Sequence, residues 1–495
     1  MNQIYVIREE RTVVFMLNPK NNAALVRYAV LLGVAKSFLK NNLENIDEVP
    51  NIIVPDDTPS KRGSLGCDKL VVKAQCAAAM GYTPSWLDAD YELADLAQEA
   101  LKRTAPLKAT VSVLKEACNA CISKRYVVSD QCQTCYARPC EVNCPKKAIN
   151  VIDKAHINQD LCIKCGICYN NCPYEAIHKD HAPCEDACPV GALAKDSSGR
   201  EYIDQDKCIS CGKCILSCPF GAIVHNSQMF DVLNVLKNSS KKKVAMLAPA
   251  VIGQFGNDIG KVITAFKKLG FDEVVEVAQG ADVTTKTEAA EFIERMEKGA
   301  PFMTTSCCPA WVAAAEKHIP EIKPFLSTAG SPMYYIAEIV KKQNPDCIAV
   351  FVGPCLAKRL EAERNPNVDY VLVFEEAQAM LDAAEIKVAE MNSETFAVAA
   401  SAQGRRYPVS GGVAGAISYV IGDKAAYKPE KIDGLNPEAI KKLKRYATVP
   451  PAEYNMVEVM CCEGGCVGGP GATCMAKKAA MMVENYVKTS SNIEK

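Results

Sequence analysis

The chain has 495 residues, 49% of them hydrophobic, and a formal net charge of -1. This length has room for about three domains of roughly 150 residues each, and the balanced charge gives no electrostatic reason to expect a nucleic-acid or membrane partner. The 26 cysteines would suggest disulfides in a short secreted chain, but the first residues contain no apolar stretch of signal-peptide type. We therefore expect a cytoplasmic protein whose cysteines are reduced and bind metal.

Residues 1–115 are expected to form a partly helical N-terminal domain of unknown role. Apolar residues at helical spacing predict helices over 23–39 and 91–101, with a polar, proline-bearing link over 50–66. This part contains neither a glycine loop for a nucleotide nor the cysteine spacing of a plant-type ferredoxin. Four cysteines of the chain belong to no motif and are interpreted as buried apolar residues: Cys67, Cys76, Cys347 and Cys474.

Sixteen cysteines lie between residues 118 and 218. Two runs have the C-x2-C-x2-C-x3-C-P spacing of bacterial ferredoxins, in which three thiolates bind one [4Fe–4S] cluster and the fourth binds the neighbouring cluster. Thiolates are soft anionic ligands suited to such clusters. The first run comprises Cys162, Cys165, Cys168 and Cys172, and the second comprises Cys208, Cys211, Cys214 and Cys218.

A looser run precedes each of these, Cys132 to Cys144 before the first and Cys184 to Cys188 before the second. The same crossing-over rule assigns ligands to tandem ferredoxin-like domains over residues 116–228. The first three clusters are assigned Cys132, Cys135, Cys140 and Cys172; Cys162, Cys165, Cys168 and Cys144; and Cys208, Cys211, Cys214 and Cys188. Cys184 and Cys218 remain, and together with Cys118 and Cys121 they would complete a fourth cluster. The alternative is an empty half-site in which Cys118 and Cys121 serve another purpose.

From residue 241 onward, short β-type runs alternate with amphipathic stretches. The pattern predicts strands over 244–248, 274–277, 301–305, 348–352 and 370–374, and helices over 258–269, 287–298 and 310–318. Such alternation indicates an α/β domain with mainly parallel strands, in which ligands bind beyond the carboxyl ends of the strands.

Three cysteine motifs occur where that rule places a ligand. Cys307 and Cys308 lie in TTSCCPAW, which follows a predicted strand and opens a helix, and Cys355 lies in the similar segment GPCLAK. The third motif, CCEGGCVGGP, begins at Cys461 and is rich in glycine, which allows the backbone to approach a cofactor closely. One cysteine at such a turn is more often an apolar residue than a ligand, but three turns of this kind favour a metal cofactor.

These three segments resemble those that bind the hydrogen-activating cluster of the iron-only, or [FeFe], hydrogenases, and the resemblance covers residues 130–475. It implies an α+β multidomain protein in which ferredoxin-like repeats precede an α/β catalytic domain over residues 240–486. It also implies that a [4Fe–4S] cubane is bound by Cys308, Cys355, Cys462 and Cys466, and that Cys466 bridges it to a diiron subsite with carbonyl, cyanide and dithiolate ligands.

The resemblance further implies the catalytic residues. Cys307 would relay protons, and Lys358 would donate a hydrogen bond to a cyanide ligand. Glu288, Ser327 and Glu291 match the positions that carry protons from Cys307 to solvent, although alone the two glutamates would be ordinary residues of a helix surface.

Two positions depart from the family pattern. Gly353 stands where a methionine is common, and Cys461 stands where a small residue such as alanine is usual. Both surround the cofactor, so we expect them to affect its reduction potential more than its identity.

The leading hypothesis is a hydrogenase that exchanges electrons with a ferredoxin-like carrier, and that depends on maturation proteins for its diiron subsite. One alternative is a hydrogen sensor, although no clear signalling module is recognisable. A second is an iron–sulfur scaffold related to hydrogenases that lacks the diiron subsite and would not need Cys307 or Lys358. A third is a pure electron-transfer protein, which would leave the last 250 or so residues without a role.

Overall fold

The computed structural model describes residues 21–87, 90–108 and 110–494, so the first 20 residues of the expected N-terminal domain lie outside the described residues. The N-terminal helices are α1 (Asn22–Leu39), α2 (Val49–Ile53), α3 (Leu65–Ala79) and α4 (Leu93–Ala100). Asn21 and Ser64 cap α1 and α3 by accepting hydrogen bonds from backbone amides. The expected link over 50–66 therefore begins inside a helix. The expectation that Cys67 is buried is wrong, because it lies in the first turn of α3 and is exposed.

Short antiparallel pairs and one-turn helices make up the cysteine-rich region. Its elements are β1 (Val111–Val113), β2 (Arg125–Val128), α5 (Pro139–Val142), β3 (Ile149–Val151), β4 (Ala155–Ile157), α6 (Ile167–Asn171), β5 (Ile177–Asp180), α7 (Pro183–Ala187), β6 (Leu193–Lys195), β7 (Glu201–Ile203), α8 (Lys213–Ser217), β8 (Ile223–His225) and α9 (Met229–Asn238). Strand β2 pairs with β5, β3 with β4, β6 with β7, and β1 with β8, all antiparallel. Helices α6 and α8 each follow a glycine with positive φ, which lets the preceding cysteine loop fold tightly.

The C-terminal region has the predicted α/β organisation. Its elements are β9 (Lys243–Leu247), α10 (Ile259–Leu269), β10 (Glu273–Glu276), α11 (Ala278–Glu297), β11 (Met303–Thr304), α12 (Pro309–His318), α13 (Pro332–Gln343), β12 (Ile348–Gly353), α14 (Ala357–Ala362), β13 (Tyr370–Val373), α15 (Phe374–Ala383), α16 (Ala402–Arg406), α17 (Gly412–Ile421), β14 (Pro429–Asp433), α18 (Pro437–Thr448), β15 (Met456–Met460) and α19 (Ala476–Val487). Two parallel sheets form, in the orders β10-β9-β12-β13 and β11-β15-β14. The prediction of mainly parallel strands is confirmed for this region.

The N-terminal helices share one hydrophobic core with the four-stranded sheet. Helix α1 is the one helix among the described residues that is long and apolar enough to cross a bilayer. It packs against α3, α9 and α15, and its Arg27 forms an ion pair with Glu375 at 3.0 Å. Leu31 and Val34 of α1 are almost fully buried in the same core as Val350 of β12. Contacts within the protein thus account for the apolar character of α1.

Candidate active site

The three cysteine motifs meet at one cavity between the two parallel sheets. Cys307 and Cys308 follow β11, Cys355 follows β12, and Cys461 follows β15, so all of them lie at carboxyl ends of parallel strands. The lining of this cavity includes Cys307, Cys308, Cys355, Lys358, Cys462 and Cys466. Every ligand that the resemblance implied therefore lies on a single cavity.

The chemistry of these thiols fits an iron–sulfur cofactor. Burial raises the pKa of Cys355 to about 12 and raises the pKa values of Cys308 and Cys462 as well. Such thiols stay neutral unless a metal centre binds their thiolates. Among the described residues, no three His, Cys, Asp or Glu side chains converge as tightly as a single metal ion requires. Cysteine sulfurs that lie farther apart suit a [4Fe–4S] cubane, because each cysteine thiolate binds a different iron atom of the cluster.

A line of polar side chains leads away from Cys307. The carboxylate of Glu288 is fully buried, and its Oε1 accepts hydrogen bonds from the Ser306 amide (3.0 Å) and hydroxyl (3.1 Å). Its Oε2 has no hydrogen-bond partner among the described residues. Burial raises the pKa of Glu288 to about 7, which allows this carboxyl group to bind and release a proton near neutral pH.

The line continues to the surface through Ser327 and Glu291. The Ser327 hydroxyl lies beside Glu288 and donates a hydrogen bond to Glu291 Oε2 at 2.7 Å. Arg295 donates to Glu291 Oε1 at 2.6 Å. Burial would raise the pKa of Glu291, but hydrogen bonds from Ser327 and Thr328 and the charge of Arg295 hold it below its usual value. The structure thus brings all the predicted relay residues together in the predicted order.

Lys358 is held by two partners at the cavity wall. Its Nζ donates to Ser331 Oγ at 2.8 Å and to Glu361 Oε2 at 2.6 Å, and Ser331 also donates to the other oxygen of Glu361. Burial opposes the charge of Lys358, but the carboxylate of Glu361 and nearby thiols raise its pKa. An ammonium group has three N–H bonds, so one remains available for a ligand in the cavity.

Gly353 is required by the ring of Phe351. A Cβ atom built at Gly353 would lie 2.6 Å from the Phe351 ring and 3.0 Å from the Ala248 Cβ. Phe351 is buried and lines the cavity. A larger side chain at position 353 would therefore have to displace the aromatic ring.

The sixteen cysteines of the ferredoxin-like region lie in four groups. Cys140 is close to Cys135 and Cys172, with Cys132 in the same hydrophobic cluster, and Cys144 lines one small cavity with Cys162, Cys165 and Cys168. Cys214 is close to Cys208, Cys211 and Cys188 and also to Cys184, while Cys218 is close to Cys121, with Cys118 beside it, and to Cys184. The structure brings together the cysteines of each set, and their assignment to individual clusters stays a prediction. None of the 26 cysteines is in a disulfide.

The third group of cysteines abuts the cavity itself. Cys211 is among the residues that line it. A Cβ atom at Gly212 would lie 2.8 Å from Leu356 and 2.9 Å from Pro470, so the loop packs directly on two of the cysteine motifs that form the cavity. Lys317 of α12 donates hydrogen bonds to the backbone oxygens of Cys208 (2.7 Å) and Gln205 (3.0 Å).

Several residues of the site were not predicted from the sequence. Tyr407 lines the cavity, and its hydroxyl oxygen lies 2.8 Å from Thr285 Oγ1. Because Thr285 donates its own hydrogen to the Ala281 oxygen, Tyr407 is the donor of that bond. Ser306 directly precedes Cys307, so the cysteine motif could have identified it. Tyr407 belongs to no motif, and its position at the cavity could not be predicted from the sequence.

Comparison with known proteins gives matches to two family models. Residues 241–470 match "Iron only hydrogenase large subunit, C-terminal domain", and residues 161–222 match "4Fe-4S dicluster domain". Iron hydrogenase 1 of Clostridium pasteurianum is 30% identical over 305 residues, which are 50% of this chain and 53% of that protein. The NADP-reducing hydrogenase subunit HndD of Solidesulfovibrio fructosivorans is 28% identical over 312 residues, with the same coverage.

A relative with a different description is also similar. Cytosolic iron-sulfur assembly component 3 of Bos taurus is 26% identical over 276 residues, which are 43% of this chain and 57% of that protein. The chain spans about half the length of the curated hydrogenases that it matches.

Proposed function

We propose, because this chain belongs to the iron-only hydrogenase family, that it catalyses the reversible interconversion of dihydrogen with protons and electrons. The predicted order of ferredoxin-like repeats and an iron-only hydrogenase domain is confirmed by the two family models. The observation that carries the proposal is the arrangement of the cavity. Four cysteine ligands surround it, Cys307 faces it, and the buried Glu288 lies behind Cys307.

The residues of the cavity suit the expected cofactor. Cys308, Cys355, Cys462 and Cys466 would hold a [4Fe–4S] cubane, and Cys466 would also help to hold the diiron subsite. When bound, that subsite would supply an open metal position at which dihydrogen is polarised. The remaining N–H of Lys358 would donate to a cyanide ligand and place a positive charge beside an anionic group.

Proton transfer is the task of the chain itself. Burial raises the pKa of Cys307 well above its usual value, so Cys307 stays a neutral thiol that can pass a proton without remaining charged. Glu288 would exchange that proton, and Ser327 would pass it to Glu291 at the surface. The path from Cys307 to Ser327 is buried, and an isolated ion there would have a high desolvation cost. Transfer of the proton between closely spaced hydrogen-bonding groups avoids that cost.

Electrons would travel through the groups of cysteines. We infer up to four [4Fe–4S] clusters over residues 116–228, which link the catalytic domain of residues 240–486 to a ferredoxin-like carrier. The third cluster is the one beside the cavity, since Cys211 lines it. We place the protein in the cytoplasm, where maturation proteins would insert the diiron subsite. The N-terminal part, residues 1–115, would support the catalytic core on which its helices pack.

The similarity to an iron–sulfur assembly component supports a second candidate, an iron–sulfur scaffold without the diiron subsite. Such a scaffold has no need for a thiol and an ammonium group that face a cavity beside the cluster ligands. Cys307 and Lys358 both line the cavity and are buried, and Lys358 is held in place by Glu361. This geometry favours the hydrogenase over the scaffold.

Infrared spectroscopy of the anaerobically purified, matured protein tests the proposal, together with a dihydrogen assay. Bands of metal-bound carbonyl and cyanide with turnover are expected, and Cys307→Ala should lose most of that turnover. Cys347→Ala is the matched control, because Cys347 is buried in a different core. If a control hydrogenase is matured in parallel and this chain shows no such bands, the hydrogenase proposal is wrong and the scaffold is favoured. Bands with little turnover would instead indicate a sensor.

A further inference from the structure

Cys461 is a cysteine without a ligand role in the assignments above. It directly follows strand β15, immediately before Cys462, and it is 2% exposed. The two cysteine sets beside it, the third ferredoxin-like group and the cavity set, already have four cysteines each. Cys461 is therefore an additional thiol buried between two metal sites.

Cys461 adjoins Cys462 in the chain, and its neighbour in the ferredoxin-like region is Cys211. The two side chains are in hydrogen-bond contact, and both line the cavity. Cys211 belongs to the ferredoxin-like region and Cys461 to the catalytic region, 250 residues apart in the chain. The tight packing of Gly212 on Leu356 and Pro470 fixes this approach, since no larger residue would fit there. The contact thus spans the junction between the two regions.

The direction of the hydrogen bond follows from the chemistry of the pair. A cysteine that binds iron is a thiolate and has no proton to give, so Cys211 can only accept. Cys461 binds no cluster in this assignment and keeps its S–H. Cys461 is buried in the same hydrophobic cluster as Ala310 and Trp311, and Cys211 packs against that cluster, so a hydrogen bond to an anionic sulfur is stronger there than in water.

We propose that Cys461 donates a hydrogen bond to the sulfur of Cys211 and thereby raises the reduction potential of the third [4Fe–4S] cluster. Reduction adds negative charge to a cluster, and a donor directed at one of its sulfurs stabilises the reduced state more than the oxidised state. The inference rests on the proposed assignment of Cys188, Cys208, Cys211 and Cys214 to one cluster. It makes Cys461 a positioning residue that acts through Cys211 and sets how readily the cluster beside the cavity holds an electron.

A potentiometric titration followed by electron paramagnetic resonance tests the inference on the full chain with its iron–sulfur clusters assembled, under argon. In Cys461→Ala, the midpoint of the third cluster should become more negative, by about 59 mV if the hydrogen bond changes the reduction equilibrium tenfold. The midpoint potential of Cys461→Ser should lie between those of the wild type and Cys461→Ala, since a serine hydroxyl still donates a hydrogen bond. Cys208→Ser, which alters one ligand, identifies the transition that belongs to the third cluster.

The outcomes separate this inference from the proposed function. An unchanged midpoint in Cys461→Ala at full iron content overturns the inference, and so does a shift confined to a transition that Cys208→Ser leaves in place. Loss of iron in Cys461→Ala also overturns it, because Cys461 would then be a ligand. Cys347→Ala should leave every midpoint unchanged. The titration needs no hydrogen turnover, so a shift of the third cluster supports the inference even if carbonyl and cyanide bands are absent.

Discussion

Glu288 is the residue whose replacement tests the proton path most directly. In Glu288→Gln the side chain keeps its shape and an oxygen for the Ser306 amide, but it can no longer carry a proton. The removal of a positioned acid or base costs about 10²- to 10⁴-fold in rate. We expect a loss of that size in both hydrogen uptake and production, with unchanged carbonyl and cyanide bands.

The same substitution should change how stability depends on pH. The pKa of Glu288 is raised by burial from 4.5 to about 7, so the folded protein holds this proton more tightly than the unfolded chain. The resulting stabilisation is complete below about pH 4.5 and is lost as the pH rises through about 7. At about 1.36 kcal/mol for each pKa unit, the wild type should lose roughly 3 kcal/mol across that window relative to Glu288→Gln.

Thermal unfolding at pH 5 and pH 8 measures this difference, and steady-state hydrogen assays measure the rate. Glu294→Gln is the matched control, since Glu294 lies on the same helix, α11, but is exposed and paired with Lys298. The control should keep its activity and its pH profile. If Glu288→Gln retains most of the wild-type rate, protons reach solvent by another path. Equal stability profiles would show that Glu288 is not the buried titrating group.

Three further substitutions follow from the buried contacts. Lys358→Met should lower the cofactor content and shift the cyanide bands in infrared spectra, whereas Lys341→Met, which removes a lysine paired outside the cavity, should do neither. Gly353→Ala should cost about 1–3 kcal/mol in thermal unfolding and displace the Phe351 ring, which altered carbonyl bands would reveal. Arg359→Met should lower the free energy of unfolding by about 3–5 kcal/mol in denaturant titrations, because it leaves a buried carboxylate without its partner.

The cavity could be located from the sequence because its ligands follow a local rule. Each cysteine motif directly follows a run of apolar residues, and the carboxyl ends of parallel strands meet at one edge. The ferredoxin-like groups were predictable for a similar reason, since the spacing of cysteines reports which thiolates can reach one cluster. Helix bounds were less accurate: α11 begins at Ala278, well before the predicted start at residue 287, because the apolar pattern of its first turns is weak.

Contacts between distant segments could not be predicted. Tyr407 reaches the cavity, and Cys211 reaches Cys461, only because separate elements pack against each other. The packing of α1 on the core of the four-stranded sheet could not be predicted either, since an apolar helix face does not specify which element it packs against. Cys67 shows the converse error, because a cysteine outside any motif is usually buried, and only the orientation of α3 exposes it.

Helix α14 contacts both the cavity and the ferredoxin-like region. Lys358 faces the cavity, while the next residue, Arg359, donates to the Asn226 oxygen at 2.6 Å and to both oxygens of Glu376 at 2.7 and 2.8 Å. Asn226 directly follows strand β8 of the ferredoxin-like region. A displacement of that region would therefore strain the helix that holds Lys358. In the proposed hydrogenase, electron transfer would need fixed spacing between clusters and the cofactor would need a fixed cation, and this one buried ion pair would serve both requirements.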